Sequence, residues 1–412
     1  MRKLFYSNGV LAIASTSAFA GGYMIPNENA RDLALSQAAI ADQTGPEAVL
    51  INPAAVAGPI GLALSASGEL LANRTTWSEP TLGSATLIPQ YNTPPAGAIS
   101  FGNRLGREMA WGMGVAAAVP AGGSLVWPNG WQGQDYIQSV DQKVYLFGAA
   151  AAFQPLRYVK IGVSFLRYQA QEELHQAINF LDHHGSAALG LAGGANSFGL
   201  GIQIQAPWFP LVVAASYKHS GTLTLDGDVH FTGVPTPFTA LIHDQSVTEK
   251  LTVPNVLDVG AAYPISRNVK ALATYTFERW SVYKADKFVG SDGFTVTVPR
   301  NYNNAHVLRI GAEWQLTSQW TIRAGGQRSL SSQPSDTLSP TLTDGHSWAY
   351  SIGAGVTVVP SLRFDAAYQH VIFDAVTATG TDALPGTYKT HVDLFSVGLT
   401  WRPHLGCRCD FR

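Results

Sequence analysis

From about residue 61 onward, apolar and polar residues alternate with period two in one segment after another, as in strands whose two faces meet different surroundings. The last third shows it best. In 307–314, Leu308, Ile310, Ala312 and Trp314 share one face while Arg309, Gly311 and Glu313 share the other. In the next segment Trp320, Ile322 and Ala324 oppose Thr321, Arg323, Gly325 and Gln327. Segments 347–358, 362–370 and 391–401 repeat the arrangement, with Arg363 and Asp365 again on the polar side. A soluble sandwich also alternates, but two features favour a membrane barrel. No charge falls among the apolar positions of these five strands, and a charge facing lipid at mid-membrane costs roughly 2–4 kcal/mol. The connections also alternate in length. Strands at 61–71, 96–104, 111–119, 142–153, 159–170, 195–205, 211–218, 250–262, 269–278, 306–314, 320–327, 347–358, 362–370 and 391–401 leave long connections on one side and short turns on the other.

Outer-membrane barrels have even strand counts, short periplasmic turns and long outer loops. The expected fold is therefore all-β: a fourteen-stranded antiparallel transmembrane β-barrel over 59–402, in a Gram-negative outer membrane with both termini periplasmic. Tyr158, Trp208, Tyr263, Trp314, Trp320 and Trp401 fall beside the short turns, where an interfacial aromatic girdle belongs.

Composition agrees. Only 13% of the 412 residues are charged, against about 25% in a soluble domain. The net charge of −2 leaves no basic excess for a nucleic-acid partner. Mean hydropathy is only +0.06, and no run of about 18 uncharged apolar residues follows the N-terminus, so membrane helices are not expected. Arg2 and Lys3, the apolar stretch Val10 to Ala14 and the A-x-A site Ala18-Phe19-Ala20 read as a signal peptide over 1–20. Cys407 and Cys409, in a tail at 403–412, make neither a disulfide scaffold nor more than half a zinc shell.

Little points to catalysis. G-x-S-x-G, H-E-x-x-H and the P-loop pattern are absent, so the expectation is no enzyme, no cofactor and no metal site. His183-His184 beside Asp182 reads as a solvated loop, and the lumen charges as a structural ion-pair network. The outer loops are more informative. Leu174, Ala177, Ile178 and Leu181 recur at i, i+3, i+4 and i+7, which predicts a short amphipathic helix, with Phe180 adding apolar surface. The fourth long loop carries Phe231, Val234, Phe238, Leu241 and Ile242, an apolar load that fits either loop packing or a ligand-gathering surface. Residues 21–58 do not alternate; they fit either a plug in the lumen or a periplasmic tail.

Gly21-Gly22-Tyr23, Ala38-Ala39-Ile40-Ala41-Asp42 and Asn52-Pro53-Ala54 resemble the N-terminal hatch of the FadL family of outer-membrane transporters for long-chain fatty acids and other hydrophobic compounds. Trp131-Gln132-Gly133, Pro254 ahead of Leu257 to Tyr263, and Glu278-Arg279-Trp280-Ser281 are similar to further family elements, as are Leu308 to Trp314 and Ile322-Arg323-Ala324-Gly325. The chain departs from the pattern in having fewer glycines around Ala34 to Ala39 and in running past Trp401, the aromatic expected to be read by the barrel-assembly machinery.

The resemblance implies a monomer, embedded in outer-membrane lipid, that takes up a hydrophobic small molecule by passive diffusion. Capture would occur at the third and fourth outer loops (Leu174, Ile178, Phe180, Leu181, Phe231, Phe238). A hatch gated through Asn52, Pro53 and Ala54 would shift, and the ligand would leave sideways beside a third strand bent at Gly112 and Gly114. Arg309 or Arg323 would be the partner for a carboxylate. An aromatic-hydrocarbon channel of the same family, an outer-membrane lipase and a passive porin are the alternatives.

Overall fold

The computed structural model describes residues 29–180, 184–219, 221–341, 343–380 and 383–403. The expected signal peptide, Gly21-Gly22-Tyr23, Leu181, Asp182, His183, Cys407 and Cys409 lie outside the described residues.

In chain order the strands begin with β1 (Gly61–Glu79), β2 (Gly83–Thr86), β3 (Gln90–Asn92), β4 (Pro95–Leu105), β5 (Met109–Val126), β6 (Ser139–Leu156) and β7 (Val159–Asn179). Then come β8 (His184–Gln205), β9 (Val212–Lys218), β10 (Gly221–Thr232), β11 (Gln245–Val253), β12 (Val256–Pro264), β13 (Val269–Glu278), β14 (Ala285–Gly290) and β15 (Thr295–Pro299). The last are β16 (Ala305–Gln315), β17 (Trp320–Leu330), β18 (Ser347–Val359), β19 (Leu362–Phe373), β20 (Val376–Ala378) and β21 (Gly386–Trp401). Neighbours pair antiparallel, and β21 pairs with both β19 and β1, in the latter case from Leu64↔Trp401 to Ser78↔Thr387. The sheet is a closed barrel of fourteen staves, two of them split: β9 continues into β10, and β11 into β12.

Alternation places each side chain as the pattern demands. Leu308, Ile310, Trp314, Trp320, Ile352, Phe395, Val397 and Trp401 are exposed on the outer wall, whereas Arg323, Asp365, Ser351 and Ser396 are buried inside. Trp208, Trp314, Trp320 and Trp401 project at the short-turn end, and Tyr263 stacks on Phe209 there.

The long connections differ from expectation. Much of 72–95, 120–141, 171–194 and 219–249 is strand, because backbone N–H and C=O groups need partners above the bilayer as well as within it. On β7, the outward residues Ile161, Val163 and Phe165 give way to Arg167, Gln169, Gln171 and Glu173. The strand crosses the apolar zone and continues well beyond the roughly 9–11 residues a membrane requires. The predicted helix at Leu174 to Leu181 is corrected by the same strand. Leu174 and Ile178 are four apart, a spacing that puts them on one face of a strand as well as of a helix, and cross-strand pairing to Val140 and Leu189 selects the strand.

Residues 30–57 pack against the barrel wall. Helix α1 (Ala30–Ala34), capped by the Asn29 side chain on Asp32 N at 2.7 Å, packs on β17, β18, β19 and β21. Helix α2 (Ala48–Ile51) leads into a 3-10 turn, Pro53–Ala57, that packs across β4 to β8. The contact is close enough to require glycine on the wall. A Cβ at Gly112 would overlap the Val56 carbonyl, and one at Gly162 would overlap the Pro53–Ala54 peptide. The scarcity of glycine near Ala34 to Ala39 has a structural consequence: Ser36 and Gln37 turn the chain with positive φ (48° and 60°). Hydrogen bonding of Ser36 Oγ with Ser351 Oγ and of Gln37 N with Asp32 O holds that turn.

Candidate functional site

The lumen has two chemically distinct ends. At the short-turn end, side chains from α1, β13, β16, β17 and β19 form a chain of ion pairs. Arg323 is bound on both sides, to Glu313 and Asp365 at 2.7 Å each, and its side chain is only 1% exposed. Arg31 joins Glu313 (3.1 Å) to Asp42 (2.5 Å), Lys270 reaches Asp42 (2.8 Å), and Arg363 completes Asp365 (3.0 Å). The barrel wall is thereby tied to the N-terminal segment, as a structural ion-pair network would do. A cavity of about 290 Å³ opens beside it, lined by Arg31, Glu47, Ser65, Arg363 and Arg402 among others.

The long-loop end is apolar. One continuous cluster contains Leu174, Ile178 and Phe180 of the β7 end and the tryptophans Trp77, Trp127, Trp131 and Trp280, with Phe231 and Phe238 packed against it. Phe180 stacks on Phe238 at 5.5 Å, so the third and fourth loops meet as the sequence suggests. Trp127 stacks on Trp131 at 4.1 Å. Each buried indole N–H finds an acceptor: Trp77 the Pro385 carbonyl (3.1 Å), Trp127 that of Pro340 (3.3 Å), Trp131 that of Ile137 (2.9 Å) and Trp280 the Glu278 carboxylate (2.8 Å). These bonds pull distant loops over the barrel mouth. Sequence reading singled out Trp131 and Trp280 only by resemblance. It did not reach Tyr283 and Tyr302, which pack edge-on at 5.1 Å beside the buried Arg300–Asp286 pair (2.7 Å). Tryptophan and tyrosine crowded into segments taken for loops were the available signal.

The same cluster continues downward to Ala121, Ala118 and Ala116 of β5 and to Val49, Leu50 and Val56 of the N-terminal segment. Here the bend expected at Gly112 and Gly114 is relocated. Both glycines sit in regular ladders, opposite Gly102 and Ser100 on β4 and Ala152 and Ala150 on β6. The β4–β5 ladder instead ends at Gly97↔Ala117, and the β5–β6 register shifts between Ala118 and Ala121. Pro120, which has no N–H to donate, lies in that shift, and period-two burial is lost from Ala118 to Gly123. The wall is interrupted where the apolar cluster meets it.

The remaining expected site residues are placed as follows. Asn52 accepts from Ala54 N (3.2 Å) and donates to the Ile40 carbonyl (3.3 Å), so it braces the turn that Pro53 begins. Arg309 donates to Thr276 and to Gln327 (3.2 Å) and lies 4.0 Å from Asp258. Arg309 and Arg323 are both remote from the Phe180–Phe238 pair in sequence and belong to the polar wall below it. Among the described residues, no group of three or more His, Cys, Asp or Glu could hold a metal ion.

The model of the outer-membrane transport protein family OMPP1/FadL/TodX matches residues 11–402. The chain belongs to this family. No curated protein matches it. Its fold is similar to that of a Pseudomonas aeruginosa FadL homologue (18% identity, TM-score 0.82, covering 93% of this chain and 100% of that one). It is also similar to the P. putida toluene transporter TodX (15%, 0.69, 93% and 98%) and to the monoaromatic hydrocarbon channel CymD (14%, 0.70, 94% and 99%). The chain is thus an outer-membrane transport protein, not an enzyme, and among the described residues no helix is long and apolar enough to cross a membrane.

Proposed function

We propose that this member of the FadL/TodX family takes up hydrophobic small molecules by passive diffusion. Ligand is captured between the third and fourth loops at Ile178, Phe180 and Phe238, descends along the apolar cluster, and leaves sideways into the membrane at the β5 interruption as the Asn52–Pro53–Ala54 turn shifts. The long-loop end faces outward and both termini face the periplasm. One observation carries the reading: the apolar cluster is continuous from Phe180 to Ala118 and Val56, so it offers an oily path from the loops to the break in the wall. Each methylene buried along such a path contributes roughly 0.8 kcal/mol, which holds a ligand without many polar contacts.

Uptake of radiolabelled toluene and oleate, in cells with and without the protein, tests this. Saturable uptake of either compound that depends on the protein is expected; no difference for both would sink the reading. Replacing Asn52 and Pro53 with Ala should alter that uptake while the barrel still assembles. A steady ion conductance in planar bilayers would favour the porin alternative instead.

A further inference from the structure

The long-loop end of the lumen has a chemical bias in its polar groups. Its buried ionisable side chains are Glu172, Glu249, Glu278, Asp286 and Asp344, against one buried cation among the described residues there, Arg300. That guanidinium is already held: its Nε lies 2.7 Å from Asp286 Oδ2, and the Tyr283 hydroxyl donates to the same carboxylate. Glu172 and Glu249, on β7 and β11, interact electrostatically with each other and with the Asp286–Arg300 pair, so the four groups share one region of the lumen.

Several polar atoms there lack a protein partner. Gln142 Nε2 donates to Glu172 Oε2 at 2.9 Å, which leaves Gln142 Oε1 and Glu172 Oε1 unpaired. Glu249 Oε2 and the Tyr302 hydroxyl are also unpaired. All four side chains are at most 2% exposed. Buried polar atoms in folded proteins are nearly always hydrogen-bonded, so unpaired atoms around one region mark a place for a group from outside the chain. Two of them, on the Gln142 amide and the Tyr302 phenol, are not carboxyl oxygens. Burial also holds the Glu172 carboxyl up at about 7 and pushes Glu249 well above the ordinary carboxylate range. The burial that disfavours the charged form of Glu172 and Glu249 would act equally on a ligand carboxylate, and the one buried guanidinium there already balances the charge of Asp286. A hydroxyl or amine would donate to Gln142 Oε1 and to a carboxyl oxygen of Glu172 or Glu249, and a hydroxyl could also accept from the Tyr302 phenol.

We propose that the long-loop end of the lumen binds hydrophobic molecules through a hydrogen-bond-donating head, an alcohol, phenol or amine, and discriminates against carboxylates. The proposal rests on the uptake reading and names its ligand class.

The test uses the full chain in lipid nanodiscs, with bound N-phenyl-1-naphthylamine displaced by dodecanol, dodecylamine, dodecanoate or dodecane at neutral pH. Dodecanol or dodecylamine should displace the probe at about tenfold lower concentration than dodecanoate, a difference of about 1.4 kcal/mol. The two donor ligands separate a neutral from a cationic head. Gln142→Leu, Glu249→Gln and Tyr302→Phe should each shrink that advantage about threefold, in protein whose heat-modified gel mobility verifies a folded barrel. Dodecanoate equalling or beating both donor ligands overturns the proposal. So does an advantage that survives all three substitutions, or dodecane matching dodecanol, which would mean that water serves the unpaired atoms. If none of the four compounds displaces the probe, the uptake reading itself falls, so the two failures are distinguishable.

Discussion

The two ends of the lumen are enclosed by the same alternating staves yet treat charge in opposite ways. At the short-turn end the carboxylates of the ion-pair network are shared: Glu313 serves Arg31 and Arg323, and Asp365 serves Arg323 and Arg363. At the long-loop end carboxyls outnumber cations, and tryptophan and tyrosine fill the space between them. A paired network is stiff, because moving one member strands the others in low dielectric. A region whose carboxyl oxygens lack partners among packed aromatic side chains remains chemically unsatisfied by its own chain. The contrast assigns anchoring of the N-terminal segment to the short-turn end.

The sharpest way to break this contrast is Arg323→Leu. It leaves Glu313 and Asp365 short of a buried partner, and about 3–5 kcal/mol of stability should be lost; thermal conversion of the folded barrel band on gels would read it. An unchanged transition would mean that the floor is not held by its ion pairs.

Glu172→Gln probes the other end. The Glu172 carboxyl is raised from 4.5 to about 7, so the folded protein keeps a proton that the unfolded chain releases. The stability it contributes is present below pH 4.5 and is lost as pH rises through about 7, by up to about 3 kcal/mol. The loops should therefore become more sensitive to protease between those values, and Glu172→Gln should flatten the profile. A variant as pH-sensitive as the parent would contradict the assignment.

Smaller effects sharpen the picture. Joint replacement of Phe180 and Phe238 by Ala removes a stacked pair, a loss of about 0.5–1.5 kcal/mol beyond buried area. Probe binding should weaken several-fold with barrel mobility unchanged. The smallest change is expected from Gln37→Gly, which relieves a left-handed non-glycine residue and should stabilise the turn by about 1 kcal/mol. A fall in melting temperature would show that the Gln37 side chain matters more than its backbone strain.

Much of the wall was legible because period two is a local property. Arg309 and Glu313 had to share a face with Gly311, and Leu308 with Ile310, whatever the rest of the chain did. The loops were harder to read for the reverse reason. Leu174 and Ile178 satisfy both helix and strand periods, and only the neighbouring ladders on β6 and β8 choose between them. The bend expected at Gly112 and Gly114 has no counterpart in the regular ladders there. Those glycines answer to close approach of the N-terminal segment, while Pro120 and the register shift carry the break.

By itself, then, the sequence determined a fourteen-stave barrel, the face on which each stave carries its charges, and the apolar character of two loops, since alternation and charge placement act over neighbouring residues. Which charges pair, where the strand ladder is interrupted and which polar atoms are left without partners were decided only by the tertiary structure. Arg323 meets Asp365 across 42 positions and Arg31 meets Glu313 across 282, and closure of the barrel is what brings them within reach.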